Sequence, residues 1–113
     1  MAPIFVFREM DKGNFEDVRN GIKTVETRAA TDKYRAIKIG DEITFSCGGD
    51  TFVKKVTKVY LWPSIDAMLE EILLKKIMPD LDTVEQAKAR YATYPNYDEK
   101  IKEHGLVGFE LGN

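Results

Sequence analysis

Residues 21–28 read Gly21-Ile22-Lys23-Thr24-Val25-Glu26-Thr27-Arg28, and they hold the side chains best suited to chemistry. The β-branched residues predict a strand over residues 23–28. Side chains alternate along a strand, so Thr24, Glu26 and Arg28 share one face and Val25 and Thr27 the other. Glu26 and Arg28 then stand about 7 Å apart, close enough to meet or to flank one ligand. Lys23 enters from a turn at Gly21, where backbone amides are accessible. As a binding set, Lys23 and Arg28 would hold a phosphate or a base carbonyl while Glu26 accepts from a base amine. As a catalytic set, a lysine base or nucleophile needs its pKa brought down from about 10.4 by burial or nearby cations. Arg28 helps in that and an ionised Glu26 opposes it. Ribonuclease chemistry would use Glu26 as base and Lys23 or Arg28 against phosphorane charge, without the usual pair of histidines. Two plainer readings stay open. One is a solvated strand face whose ion pair is worth at most ~1 kcal/mol; the other is a structural lock between strand and barrel.

Charge sharpens the choice. The 113 residues carry 17 Lys and Arg against 19 Asp and Glu, a formal charge of −2 that excludes a protein coated for phosphate. Within residues 19–38, however, Arg19, Lys23, Arg28, Lys33, Arg35 and Lys38 outnumber Glu26 and Asp32 by four. Such a segment can steer an anionic ligand to one face. Tyr34, with Tyr60 or Trp62 from a later strand, offers stacking surfaces, although Trp62 before a helix start reads more simply as a packing anchor. A single cysteine, Cys47, and a single histidine, His104, leave no disulfide and no Cys- or His-built metal centre. Cys47 reads as a buried core thiol. No cofactor is expected.

The elements that must position these residues follow from the pattern. One domain over residues 1–113 is the expectation at this length. Ile4 to Phe7 is apolar on both parities and predicts a strand covered on both faces. Asn14 is the expected N-cap of a short helix over 15–19, stopped by Asn20-Gly21. A polar loop over 29–35 and a turn or helical piece over 36–41 precede a hairpin. Its strands are Ile43–Cys47 and Phe52–Trp62, its turn is Gly48-Gly49-Asp50, and a shift of parity among Val53, Val56 and Val59 predicts a bulge. Ser64 caps a helix whose apolar spacing runs to Lys76. Thr83 to Gln86 is a capping box opening a helix through about Tyr94. Another helix opens at Asn96 and stops at His104-Gly105, and Val107, Phe109 and Leu111 line one face of a closing strand. The fold class is therefore α+β, a small, partly closed, mostly antiparallel β-barrel flanked by helices. No apolar run reaches the ~20 residues of a membrane span, and Met1 to Arg8 is too short for a signal peptide. The expectation is a soluble cytoplasmic protein, with a monomer favoured.

The octapeptide is similar to the GxKxxExR signature of ASCH domains, relatives of the PUA RNA-binding fold. The run from Ile37 to Phe45 (IKIGDEITF) and the run from His104 to Leu111 (HGLVGFEL) extend the resemblance over nearly the whole chain. It implies a small barrel with a helix-bordered cleft lined by Lys23, Glu26 and Arg28, with Gly21 beside them. It implies RNA or a nucleoside or nucleotide as ligand. The alternative it carries is a hydrolase in the same cleft with Lys23 and Glu26 catalytic, either an amidohydrolase on acylated cytidine or a ribonuclease. In the amidohydrolase branch the signature resembles KxxTxR, and Glu26 stands here at the Thr position.

Overall fold

A computed structural model of the chain describes residues 3–112. Met1 and Ala2, which open the amino-terminal run considered for a signal peptide, and Asn113 lie outside the described residues. Five strands form one sheet: β1 (Ile4–Val6), β2 (Val25–Ala29), β3 (Glu42–Cys47), β4 (Asp50–Trp62) and β5 (Leu106–Gly112), in the spatial order β1-β3-β4-β5-β2. The pairing is antiparallel except for β1 on β3. Six helices accompany them among the described residues: α1 (Lys12–Arg19), α2 (Asp32–Arg35), α3 (Ile65–Glu71), α4 (Leu74–Ile77), α5 (Val84–Ala92) and α6 (Tyr97–His104), with a 3-10 turn at Glu9–Asp11. The class is mixed α+β, a curled half-barrel flanked by helices.

The curl is visible in one contact. β1 and β2 are opposite edges of the sheet, yet the Arg28 guanidinium on β2 sits 4.5 Å from the Phe5 ring and 5.3 Å from the Phe7 ring. The sheet therefore bends until its edges face each other without bonding. β4 is the strand that bends. Its first half pairs with β3 from Asp50 to Lys55 and its second half with β5 from Lys55 to Trp62, with a bulge between Val56 and Lys58 where the parity shift predicts one. The hairpin turn is two residues, Gly48 and Gly49, both at positive φ, as a tight turn matching strand twist requires.

Two apolar clusters follow from the curl. Phe5, Phe45, Val107 and Phe109 fill the concave side with Phe15 and Val18 of α1. Val25, Ala29, Trp62 and Leu106 meet Met68, Ile77, Met78, Tyr91 and Ile101 of the carboxy-terminal helical half on the other side. Val107 and Phe109 share one face as expected, but Leu106 and Gly108 are buried too. At Gly108 an added Cβ would lie 2.6 Å from the Trp62 ring, so the bare backbone is what lets the indole lie against β5. Trp62 stacks on Tyr60 and donates from Nε1 to Glu71 at 2.6 Å, which is the packing-anchor reading. Cys47 is buried, also as expected.

Some boundaries differ from the sequence reading, each for a physical reason. β1 is not covered on both faces: Phe5 is buried while Ile4 and Val6 are exposed, because β1 is an edge strand. Asn14 does not cap α1, which begins at Lys12; it lies inside the helix and is buried. The polar loop over 29–35 contains α2. The single helix expected from Ile65 to Lys76 is two, because Ile72 is extended. That break turns the Lys76 carbonyl towards β2, where it accepts from the Thr24 amide at 3.0 Å. α5 forms its full capping box at Thr83 and Gln86 but ends at Ala92, so Tyr94 falls in the turn before α6.

Candidate functional site

The gap between the two facing edges is a cleft of about 300 Å³. That is the lower end of the size range of small-molecule sites. Lys23, Glu26 and Arg28 line it, so the three charged residues singled out in the sequence converge. Gly21 does not join them: it is exposed at the end of α1, with φ +77. Its backbone lets the chain fold back so that the amides of Ile22 and Lys23 both donate to the Asp17 carbonyl at 3.0 Å. That double bond starts Lys23 towards the interior. Pairing with β5 then fixes β2 in register, Glu26 opposite Phe109 and Arg28 opposite Val107.

The other edge of β2 is satisfied by its own side chains. The Thr27 amide donates to Glu26 Oε1 at 2.9 Å, and the Thr27 carbonyl accepts from Arg28 at 3.0 Å. An unpaired strand edge is an open template for another strand; here the site's own charges close it. Glu26 Oε1 also lies 3.4 Å from the Lys23 ammonium and 3.1 Å from the Arg28 guanidinium. Glu26 and Lys23 are only 2% and 4% exposed, so this is a buried ion cluster and not the solvated pair of the plain reading. The other oxygen, Glu26 Oε2, is buried without any hydrogen-bond partner. Buried acceptors are almost always bonded, so an orphan demands an explanation.

Electrostatics fix the protonation. Burial alone would raise the Glu26 carboxyl, but the Lys23 and Arg28 cations and the Thr27 amide outweigh it and hold it below the usual carboxylate range. Burial pulls the Lys23 ammonium down; Glu26 restores part of this, and Arg28 adds to the lowering. The Arg28 guanidinium stays above its ordinary value, because the attraction of Glu26 overcomes its burial. A carboxyl depressed on folding contributes stability that is complete above its unfolded value of about 4.3. That contribution is lost as pH falls through the folded value. Glu26→Gln is therefore expected to flatten the dependence of unfolding free energy on pH below about 4.3, read from urea titrations at stepped pH. An unchanged acid slope would contradict an ionised Glu26.

The sequence reading missed much of the wall. Tyr94 and Tyr97 line the cleft beside Tyr34, with Phe7, Arg8, Asp11 and Asn14. Tyr91 lines it as well, its hydroxyl sharing a hydrogen bond with that of Thr27. Burial and the Glu26 charge push the Tyr94 phenol up to about 12, so it is neutral and presents a ring face and a hydroxyl. Tyr97 is raised chiefly by burial. Asn96, between them, holds the one positive φ of a non-glycine residue among the described residues, at +59. Asparagine tolerates that conformation, and here it sets the turn that brings both tyrosines inward. The signal in the sequence was Pro95, which disfavours helix at the residue before it.

Two expectations fare differently. Tyr60 and Trp62 are not stacking surfaces for this cleft, since they stack on each other away from it. The six cations of residues 19–38 do not form one patch either. Arg19 pairs with Asp50 at the hairpin end, Arg35 donates to the carbonyls of Ala30 and His104, and Lys38 lies against the Arg35 carbonyl. Of the six, Lys23 and Arg28 line the cleft. Among the described residues no group of three His, Cys, Asp or Glu side chains is placed to hold a metal ion. None of the described helices is long and apolar enough to cross a membrane.

Comparison with known proteins agrees with this fold. The crystal structure of a hypothetical protein, PH0355, is similar over 98% of this chain and 97% of its own, with a TM-score of 0.82 and 28% identity. The solution structure of protein PF0455 from Pyrococcus furiosus is similar over 98% and 96%, with a TM-score of 0.76 and 25% identity. No curated protein matches. The family model of the ASCH domain matches residues 9–112, which include the whole octapeptide and every side chain of the buried ion cluster. This chain belongs to the ASCH domain family.

Proposed function

We propose that this protein binds a nucleobase, of RNA or of a modified nucleoside, in the cleft between β1 and β2. The observation that carries the reading is the orphan oxygen Glu26 Oε2, held ionised beside two cations with unused donors. A base edge with an amine next to a carbonyl complements that set. The amine donates to the carboxylate, and the carbonyl accepts from Lys23 or Arg28. Tyr94 and Tyr97 supply the rings on which a base stacks. Calorimetric titration with short RNAs and with nucleosides, acylated cytidine included, tests this. Saturable binding that weakens about tenfold or more in Tyr94→Ala is expected; no binding by any of them would contradict it.

A hydrolase in the same cleft is the second reading, favoured by the buried Lys23 ammonium whose pKa burial lowers. A lysine of that kind is closer to the neutral amine a nucleophile or base requires. Glu26 at 3.4 Å works against it by stabilising the ammonium. Among the described residues His104 lines a different cavity, so no imidazole serves ribonuclease chemistry here. Incubation of acylated cytidine with the wild type and with Lys23→Ala decides: deacylation lost in the variant favours catalysis, and binding without turnover favours the first reading.

A further inference from the structure

A second cavity of about 280 Å³ adjoins the cleft and shares Arg8, Asp11 and Asn14 with it. Asp17, Asp80 and Arg90 complete its charged lining. Both arginines there are already engaged. Arg8 donates from Nε to Asp11 at 2.6 Å, and Arg90 grips both Asp80 oxygens at 2.9 and 2.6 Å. Two groups are not engaged. Among the described residues the Asp17 carboxylate has no hydrogen bond or ion pair, and the side-chain amide of Asn14 has none, although Asn14 is only 9% exposed. Both groups are therefore free to bond a ligand, and Asn14 stands in the wall between the two cavities.

The charges narrow what that partner is. Three carboxylates oppose a phosphate or other anion, and two guanidiniums oppose a cation. Acceptors are in surplus, since an ionised carboxylate only accepts while the amide both donates and accepts. Neutral hydroxyl groups meet all of these conditions. We propose that the second cavity binds a vicinal diol, the sugar of a nucleoside whose base occupies the cleft, with Asn14 and Asp17 as its ligands. The inference rests on the nucleobase reading, and it makes the Arg8–Asp11 pair the partition between base and sugar.

Calorimetry tests it with five free bases (cytosine, uracil, adenine, guanine and N4-acylcytosine), their ribonucleosides and their 2′,3′-dideoxynucleosides. Asn14→Ala suits the helix, and Asp17→Asn keeps the carbonyl that accepts from Ile22 and Lys23. For the best-bound base, the ribonucleoside is expected to bind about tenfold or more tightly than the dideoxynucleoside. Either substitution should shrink that ratio to about threefold or less, and Asp17→Asn, whose side chain lines only the second cavity, should leave the affinity for the free base unchanged. Equal binding of ribo- and dideoxynucleoside, with the base still bound, would overturn the sugar site and leave the base site standing. Failure of every base and nucleoside to bind would overturn both.

Discussion

Glu26→Gln is expected to lower the free energy of unfolding by ~3–5 kcal/mol and to remove ligand binding. The substitution keeps the shape of the side chain and deletes its charge. The Lys23 ammonium and Arg28 guanidinium, 3.4 and 3.1 Å from the same oxygen, are then left together in the interior with no counter-charge. Urea unfolding should show a lower midpoint at unchanged slope. A loss under ~1 kcal/mol would mean that the cluster is not a buried ion network. The double variant Lys23→Met with Glu26→Gln separates the structural role from the binding one. Removing both members of a buried charge pair restores much of the stability that removing one destroys. Stability should recover and binding should not. Recovery of binding along with stability would reduce Glu26 to the lock that the sequence also allowed.

Gly105→Ala is expected to cost about 3 kcal/mol or more, although Gly105 does not itself line the cleft. Gly105 ends α6 at φ +79 and ψ −164, a region that L side chains do not adopt without strain. An added Cβ would also collide with the carbonyl oxygen of Trp62. The carbonyl of Gly105 accepts from the Ala30 amide at 2.9 Å, tying the start of β5 to the end of β2. A strained Gly105 therefore loosens the joint that carries Glu26 and Arg28. Thermal unfolding measures the loss, and a midpoint equal to the wild type would refute the backbone argument.

What the sequence made legible was local. Alternation placed Glu26 and Arg28 on one face, the Gly48-Gly49 pair marked a tight hairpin, and lost parity in β4 marked the bulge that bends the sheet. Each of these is decided by neighbours within a few residues. The burial of the cluster was not legible, because it depends on β1 curling round to face β2 across the whole sheet. A solvated pair and a buried network have the same spacing. Asn14 was misread for a related reason: asparagine before an apolar residue is a good cap, and only tertiary placement reveals a largely enclosed residue lining the cleft. Helical spacing carried α5 through Tyr94, where Pro95 should have counted for more. The excess of four cations over residues 19–38 was correct as arithmetic and did not translate into a patch, since α2 and the hairpin turn most of them elsewhere.

The central claim is that the free oxygen of Glu26 receives a donor from a bound base. The Thr27 amide, 2.9 Å from the other oxygen of the same carboxylate, is its nearest reporter. Amide nitrogen–proton spectra of labelled protein during titration with nucleosides test the claim most directly. A saturable shift of the Thr27 amide whose midpoint moves to about tenfold or more higher ligand concentration in Tyr94→Ala is the result this account predicts. A Thr27 amide that stays fixed while other resonances report saturated binding would contradict it.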